Sequence, residues 1–196
     1  MGGWGLKIPA LFAKAIVAKN VWNLLHGKGL WVQIAIQKYI SPLSLLAWIR
    51  VTVKKKRSMS ICCKAVLWSF DLIGNFLSWK VGSGINVRIG LDPWVGCKWR
   101  HSLPMCLVDK LHAIGLFSLS DIGCLDLSLL NNQGWLSAEM IGLTEQHDIT
   151  CWNDYVGLLK TSHVILTGDE DFLIWNQSKS RKYTPKTGYL QLLMDR

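Results

Sequence analysis

Four side chains of types that bind metals lie close together in the middle of the chain. They are Cys97, His101, Cys106 and His112. Zinc accepts thiolate and imidazole ligands, but structural zinc sites usually contain two cysteines separated by about two to four residues. The chain has no C-x-x-C pair. We therefore interpret this spacing as chance, and we expect neither a metal site nor a cofactor.

Two further groups could do chemistry but are more simply structural. Asp169, Glu170 and Asp171 could bind a metal or exchange protons, yet successive carboxylates after a glycine are typical of a solvated turn before a strand. Cys62 and Cys63 are adjacent, so on a helix they would diverge by about 100 degrees, and no base accompanies them. We predict no catalytic residues.

Basic residues are the candidates for a binding function, because cations spaced along a surface can follow a phosphate backbone. The candidate set is Lys14, Lys19, Lys54, Lys55, Lys56, Arg57, Lys80, Arg88, Lys98 and Arg100. Trp79, Trp94 and Trp99 could stack on bases if they are exposed. We expect Trp79 and Trp94 to be buried instead. The alternative is that the cations form a solvated surface without a ligand.

The charge is distributed unevenly over the 196 residues. The net charge is +9, but residues 1–110 carry +13 and residues 111–196 carry −4. Such a field attracts RNA or DNA, and anionic membrane surfaces are the competing partner. No uncharged stretch approaches the roughly 20 apolar residues that span a bilayer, so we expect no membrane span.

Helices are predicted where apolar residues recur every three or four positions. This spacing predicts a basic amphipathic helix at 9–25, which begins at Pro9 and has on one face Leu11, Ala15, Ala18, Trp22 and Leu25. Further helices are expected at 30–39, 61–72, near 105–115, near 150–160 and from Pro185 to residue 193.

Strands are predicted around two turns. Residues 79–81 and 85–89 flank Gly82-Ser83-Gly84 and predict a central β-hairpin, with Lys80 and Arg88 pointing outward. Residues 172–176 and 181–183 predict a C-terminal hairpin that leads into the last helix. The fold class is therefore α+β, with mainly short helices and partly irregular structure. We predict a basic helical segment at 1–57, a helix and hairpin at 58–110, and an acidic connector at 111–196.

An ordered series of short motifs extends over nearly the whole chain. The motifs are GGWGL at 2–6, FAKA at 12–15, LWV at 30–32, WKVGSG at 79–84, VRIGLDPW at 87–94, DFLIW at 171–175 and YTPKTGY at 183–189. In this order they resemble the plant-type LINE (non-LTR) retrotransposon reverse-transcriptase polyprotein. The resembling region lies between the reverse-transcriptase domain and the zinc-binding module. This chain departs from the family pattern at two places. Trp4 stands where the family has leucine, and the glycine that the family has before the Tyr183 strand is absent.

The resemblance implies that the parent polyprotein is an RNA-directed DNA polymerase. Its paired aspartates, in a Y/F-x-D-D turn, hold two metal ions. No such turn occurs here, and neither do the zinc ligands that follow in the family. We therefore expect a non-enzymatic connector that binds RNA or DNA without sequence preference and packs on the polymerase domain through the helix at 9–25.

Two further expectations concern the state of the chain. Without a secretory signal pattern, its six cysteines are expected to be reduced and the protein intracellular, in the nucleus or cytoplasm. Residues 54–57 also resemble a nuclear-import run. The alternatives are a degenerate pseudogene product that folds marginally and has no activity, and a membrane-surface role for the helix at 9–25.

Overall fold

A computed structural model describes residues 8–27, 29–43, 45, 48, 61–123 and 134–195. The predicted α+β class with partly irregular structure is confirmed. The helices are α1 (Pro9–Leu25), α2 (Leu30–Ala35), α3 (Ile61–Ile73), α4 (Met105–Ala113), α5 (Leu119–Ile122), α6 (Ala138–Ile141), α7 (Gln146–Thr161) and α8 (Pro185–Met194). A π-helical turn, Ile36–Ile40, continues α2, and a 3-10 turn, Gly74–Phe76, continues α3. Strands β1 (Leu77–Lys80) and β2 (Phe172–Trp175) form a two-stranded antiparallel sheet.

The chain forms two compact units. Unit 1 comprises Met1–Leu77 and Trp175–Arg196, and unit 2 comprises Ser78–Ile174. These boundaries differ from the three segments predicted from composition, because the C-terminal residues belong with the N-terminal helices. The roles assigned to those segments stay predictions. Among the described residues, no helix combines the length and the apolar character needed to cross a bilayer.

Unit 1 buries the apolar face of α1. The helix packs against α3 and α8. Its buried side chains are Leu11, Ala15, Ala18, Val21, Trp22 and Leu24. The expectation that this face packs on a polymerase domain is therefore wrong, because helices of the same chain cover it. A membrane-surface role would need the same face, so it loses its basis as well.

The helical spacing of Ile61, Ala65, Trp68 and Leu72 is what predicts the helix that the structure shows as α3. The helix forms at the expected position, but Ile61 and Trp68 are exposed while Leu67 and Ile73 are buried. Helical spacing alone places the helix without identifying its buried face, since several faces of this apolar helix carry large side chains.

Tyr183 ties α8 to α1 at the centre of unit 1. Its hydroxyl donates to the Ala15 carbonyl at 2.8 Å, and its ring makes an edge contact with Trp175, with centroids 4.9 Å apart. Burial raises the pKa of the Tyr183 hydroxyl, so this donor stays protonated. A Cβ at Gly188 would overlap the Tyr183 hydroxyl. Glycine therefore lets α8 approach the ring.

Neither of the two predicted hairpins forms with the predicted strand pairing. β1 pairs with β2, and the backbone of Trp79 also pairs with Pro93 and Val95, where Trp79 N donates to Pro93 O at 2.8 Å and Val95 N donates to Trp79 O at 3.0 Å. Both edges of β1 are therefore occupied, so residues 87–89 bond to residues 117–119 instead. At the C-terminus, Trp175 N donates to Arg181 O at 3.0 Å, but residues 181–183 form no strand.

We predict that Gly188→Ala destabilises unit 1. The added methyl group displaces the Tyr183 hydroxyl, so the free energy of unfolding should fall by about 1–3 kcal/mol despite the better helix propensity of alanine. Tyr183→Phe, which removes only the hydrogen bond, should cost about 1 kcal/mol. Urea unfolding followed by tryptophan fluorescence measures both.

The matched control is Gly157→Ala on α7, where an added Cβ meets nothing within 4 Å. It should leave stability unchanged or raise it by about 0.5–1 kcal/mol. Equal effects of the two glycine substitutions would contradict the role assigned to Gly188.

Candidate nucleic-acid interface

A buried carboxylate organises the glycine loop of unit 2, which we define as residues 82–86. One Asp171 oxygen accepts hydrogen bonds from Gly82 N at 2.7 Å and Gly84 N at 2.9 Å. The other oxygen accepts from Asn86 N at 3.0 Å and from the Ser83 hydroxyl at 3.2 Å. Backbone N–H groups that converge on one anion in this way form an anion-binding nest. Here the bound anion is a side chain of the same unit.

The position of Asp171 corrects the prediction that residues 169–171 form a solvated turn. Asp169 and Glu170 are exposed, as a solvated turn requires, but Asp171 is buried. The loop also explains the missing hairpin. Gly84 has φ +79, and the N–H groups on both sides of Ser83 point to one carboxylate instead of continuing a ladder.

Arg88 and Asp92 form a second internal pair next to this loop. The guanidinium binds both carboxylate oxygens, with Nη2 2.6 Å and Nε 3.1 Å from them, and the backbone N–H of Arg88 donates at 3.0 Å. Asp92 is buried while Arg88 is partly exposed. Since removing one partner of such a pair is costly, Arg88 is mainly structural and a weak candidate for binding phosphate.

A tight turn follows the buried Trp94. The Cys97 thiol donates to Trp94 O at 2.9 Å and accepts from Trp94 N at 3.3 Å. Burial raises the pKa of the Cys97 thiol, so it stays protonated and can donate this bond at neutral pH. Trp79 and Trp94 are buried, as predicted. The turn therefore anchors the next residues to the core.

The basic loop, which we define as residues 98–100, leaves this turn exposed. Lys98 has φ 50, and Trp99 is 78% exposed. Lys98 and Arg100 are also exposed, and within the part of the chain that the structure describes neither side chain forms an ion pair. An exposed indole flanked by two cations is the kind of stacking surface that we predicted from the sequence. The buried Trp79 and Trp94 do not provide such a surface.

The other predicted basic residues are dispersed. In unit 1, the Lys14 ammonium lies 5.4 Å from the Trp68 ring centroid and the Lys19 ammonium donates to Tyr183 O at 3.2 Å. In unit 2, the Lys80 ammonium lies 5.1 Å from the Phe172 ring centroid. Lys54, Lys55, Lys56 and Arg57 lie outside the described residues. Lys14 and Lys80 each lie over a partly exposed ring, whereas Lys98 and Arg100 flank, in sequence, the most exposed tryptophan of the described residues, Trp99.

An open cleft of about 650 Å³ lies beside the basic loop and was not anticipated from the sequence. We call it the α7 cleft. Its lining residues are Arg100, Ser102, Leu103, Pro104, Cys151, Asn153, Asp154, Tyr155, Gly157, Leu158 and Thr161. Arg100 thus belongs to both features. The helix near 150–160 was predicted, but no sequence signal set Asn153 or Asp154 apart from other exposed polar residues.

The cysteine and histidine side chains considered as zinc ligands have other contacts. Cys97 is held inside the turn, and the His101 ring nitrogen Nδ1 lies 3.3 Å from Lys98 O. Within the described ranges, no group of three or more metal-binding side chains is placed to hold an ion.

In comparisons with known proteins, the chain matches no family model, no curated protein and no solved structure.

We predict that Asp171→Asn destabilises unit 2. The amide would turn an N–H donor toward backbone N–H groups that need an acceptor, so the free energy of unfolding should fall by about 2–3 kcal/mol. Glu170→Gln makes the same chemical change at the neighbouring exposed position, and we expect it to stay within about 0.5 kcal/mol of the unmodified chain. Chemical denaturation compares the three proteins. Equal stability of all three would refute the buried-anion account.

Proposed function

We propose that the chain is a non-catalytic connector from a retrotransposon reverse-transcriptase polyprotein, and that it binds single-stranded RNA or DNA through the basic loop. The observation that carries this proposal is the exposure of Trp99 between Lys98 and Arg100. Base stacking on an exposed aromatic ring contributes about 1–3 kcal/mol per base and tolerates any sequence. The flanking cations add a salt-dependent attraction for phosphates.

The retrotransposon part of the proposal draws support from where the resembling motifs lie. Gly82 and Gly84 of the WKVGSG motif bind Asp171 of the DFLIW motif. Arg88 and Asp92 of the VRIGLDPW motif bind each other. Two motifs that are far apart in sequence, WKVGSG and DFLIW, are thus in contact within unit 2. These contacts hold the loop and the turn in place, which agrees with a connector role that involves no chemistry.

A contact with the polymerase domain stays part of the proposal, but through a different surface. On α2, Leu30 is 73% exposed and Ile34 is 53% exposed. Apolar side chains grouped on one exposed helix favour a protein partner. Residues 54–57 stay a predicted nuclear-import run.

We predict that the chain binds a labelled single-stranded oligonucleotide in a salt-sensitive manner. With two phosphates neutralised, the affinity should fall about five- to tenfold when salt rises from about 50 to 200 mM. Trp99→Ala should weaken binding by at least about fivefold, while Trp99→Phe, which keeps a stacking ring, should retain most of the affinity. Fluorescence anisotropy measures these affinities.

The matched charge control is Lys179→Ala, because Lys179 is exposed but lies in unit 1. Lys98→Ala should weaken binding, whereas Lys179→Ala should change it by less than about twofold. Binding that ignores salt, or equal losses in both lysine variants, would refute the basic loop as the interface.

The second candidate is a degenerate product without activity and with marginal folding. The observation that favours it is the exposure of large apolar side chains in unit 1, since Ile61 is 83% exposed and Trp68 is 42% exposed. A thermal melt followed by circular dichroism separates the candidates. The connector proposal predicts a cooperative transition, and a gradual loss of signal without a transition would favour the degenerate product.

A further inference from the structure

The α7 cleft opens from the basic loop into the body of unit 2. Its volume of about 650 Å³ falls within the roughly 300–1,000 Å³ that is typical of small-molecule sites. Arg100, which carries the positive charge of the lining, also ends the basic loop. A strand that stacks a base on Trp99 therefore has a cationic side chain and an open cleft directly beside that base.

The cleft lining divides by chemistry. Arg100 is suited to bind a phosphate, because guanidinium forks match phosphate oxygens. Leu103 and Leu158 provide apolar surface of the kind that a sugar edge or a base face covers. A carboxylate such as Asp154 accepts hydrogen bonds and repels phosphate, so it suits a neutral, donor-bearing part of a nucleotide.

The donor that fits Asp154 without sequence preference is the ribose 2′-hydroxyl. A base donor would make recognition depend on the base, whereas every ribonucleotide carries the 2′-hydroxyl and deoxyribonucleotides lack it. We infer that the α7 cleft is a subsite for one ribonucleotide of the bound strand, with its phosphate on Arg100 and its 2′-hydroxyl on Asp154. This inference rests on the proposed single-strand binding and adds a preference for RNA over DNA.

The test compares labelled oligouridine RNA with oligodeoxyuridine DNA of equal length, because the two strands differ only at the 2′ position. Anisotropy should show the unmodified chain binding RNA about three- to tenfold more tightly, which corresponds to one net hydrogen bond. Asp154→Ala should weaken RNA binding to the DNA level and leave DNA binding unchanged or slightly stronger.

Two further variants separate recognition from general charge and from misfolding. Asp109→Ala removes an exposed carboxylate of unit 2 that does not line the cleft, and it should keep the RNA preference. Gly157→Leu should abolish the preference, because it adds volume to the cleft lining at a helical position where an added Cβ meets nothing within 4 Å.

The outcomes distinguish this inference from the proposed function. Equal binding of RNA and DNA by the unmodified chain, or an RNA preference that survives in Asp154→Ala, overturns the ribonucleotide subsite while single-strand binding stands. If neither strand binds, the proposed function and the subsite both fall. An RNA preference lost in Asp154→Ala and Gly157→Leu but kept in Asp109→Ala supports the subsite.

Discussion

The carboxylate of Asp171 lies among backbone N–H groups in the interior of unit 2. Water can no longer solvate a buried carboxylate fully, so the cost of burying its charge must be offset by donors. Gly82, Gly84 and Asn86 supply those donors from the backbone. This requirement shapes the glycine loop, since residues in a regular hairpin would direct alternate N–H groups to a partner strand and could not converge on one side chain.

The basic loop depends on the binding of the glycine loop by Asp171 through a short series of contacts. With the glycine loop held by Asp171, β1 is free to pair with Pro93 and Val95 on one side and with β2 on the other. This pairing places Trp94 in the core, and the Trp94 carbonyl oxygen accepts a hydrogen bond from the Cys97 thiol. The turn closed by Cys97 carries residues 98–100 out into solvent. Trp99 is exposed on a loop that directly follows Cys97, which is buried and bonded to the core residue Trp94.

The parts of the fold that sequence could predict are those set by local interactions. α1 follows from apolar spacing after Pro9, and α8 follows from Pro185 with Thr184 as its cap, which accepts from Thr187 N. The prediction of a central hairpin was wrong because the alternation and the glycine turn are local signals. The carboxylate that binds the loop belongs to Asp171, which lies 89 residues from Gly82. From the sequence alone, a buried carboxylate in an acidic run cannot be distinguished from a solvated one, because its partners are distant in sequence.

The same distinction applies to the candidate site. Lys98 and Arg100 were identified by charge, but the exposure of Trp99 depends on the turn closed by Cys97, and the α7 cleft depends on where α7 packs. Folding thus reduces the candidate set by engaging Arg88 with Asp92 and Lys19 with Tyr183. The Lys19 contact does not follow from residue type or spacing, because Tyr183 lies 164 residues away.

Amide hydrogen exchange, measured residue by residue with NMR, tests the buried-anion account most directly. The account predicts slow exchange at Gly82, Gly84 and Asn86, whose N–H groups bind Asp171. It predicts faster exchange at the intervening Ile85, whose exposed N–H donates only a long hydrogen bond, of 3.4 Å, to the Ser83 hydroxyl oxygen. Exchange as fast at all three positions as at Ile85 would contradict it, because a glycine turn open to water has no such alternation.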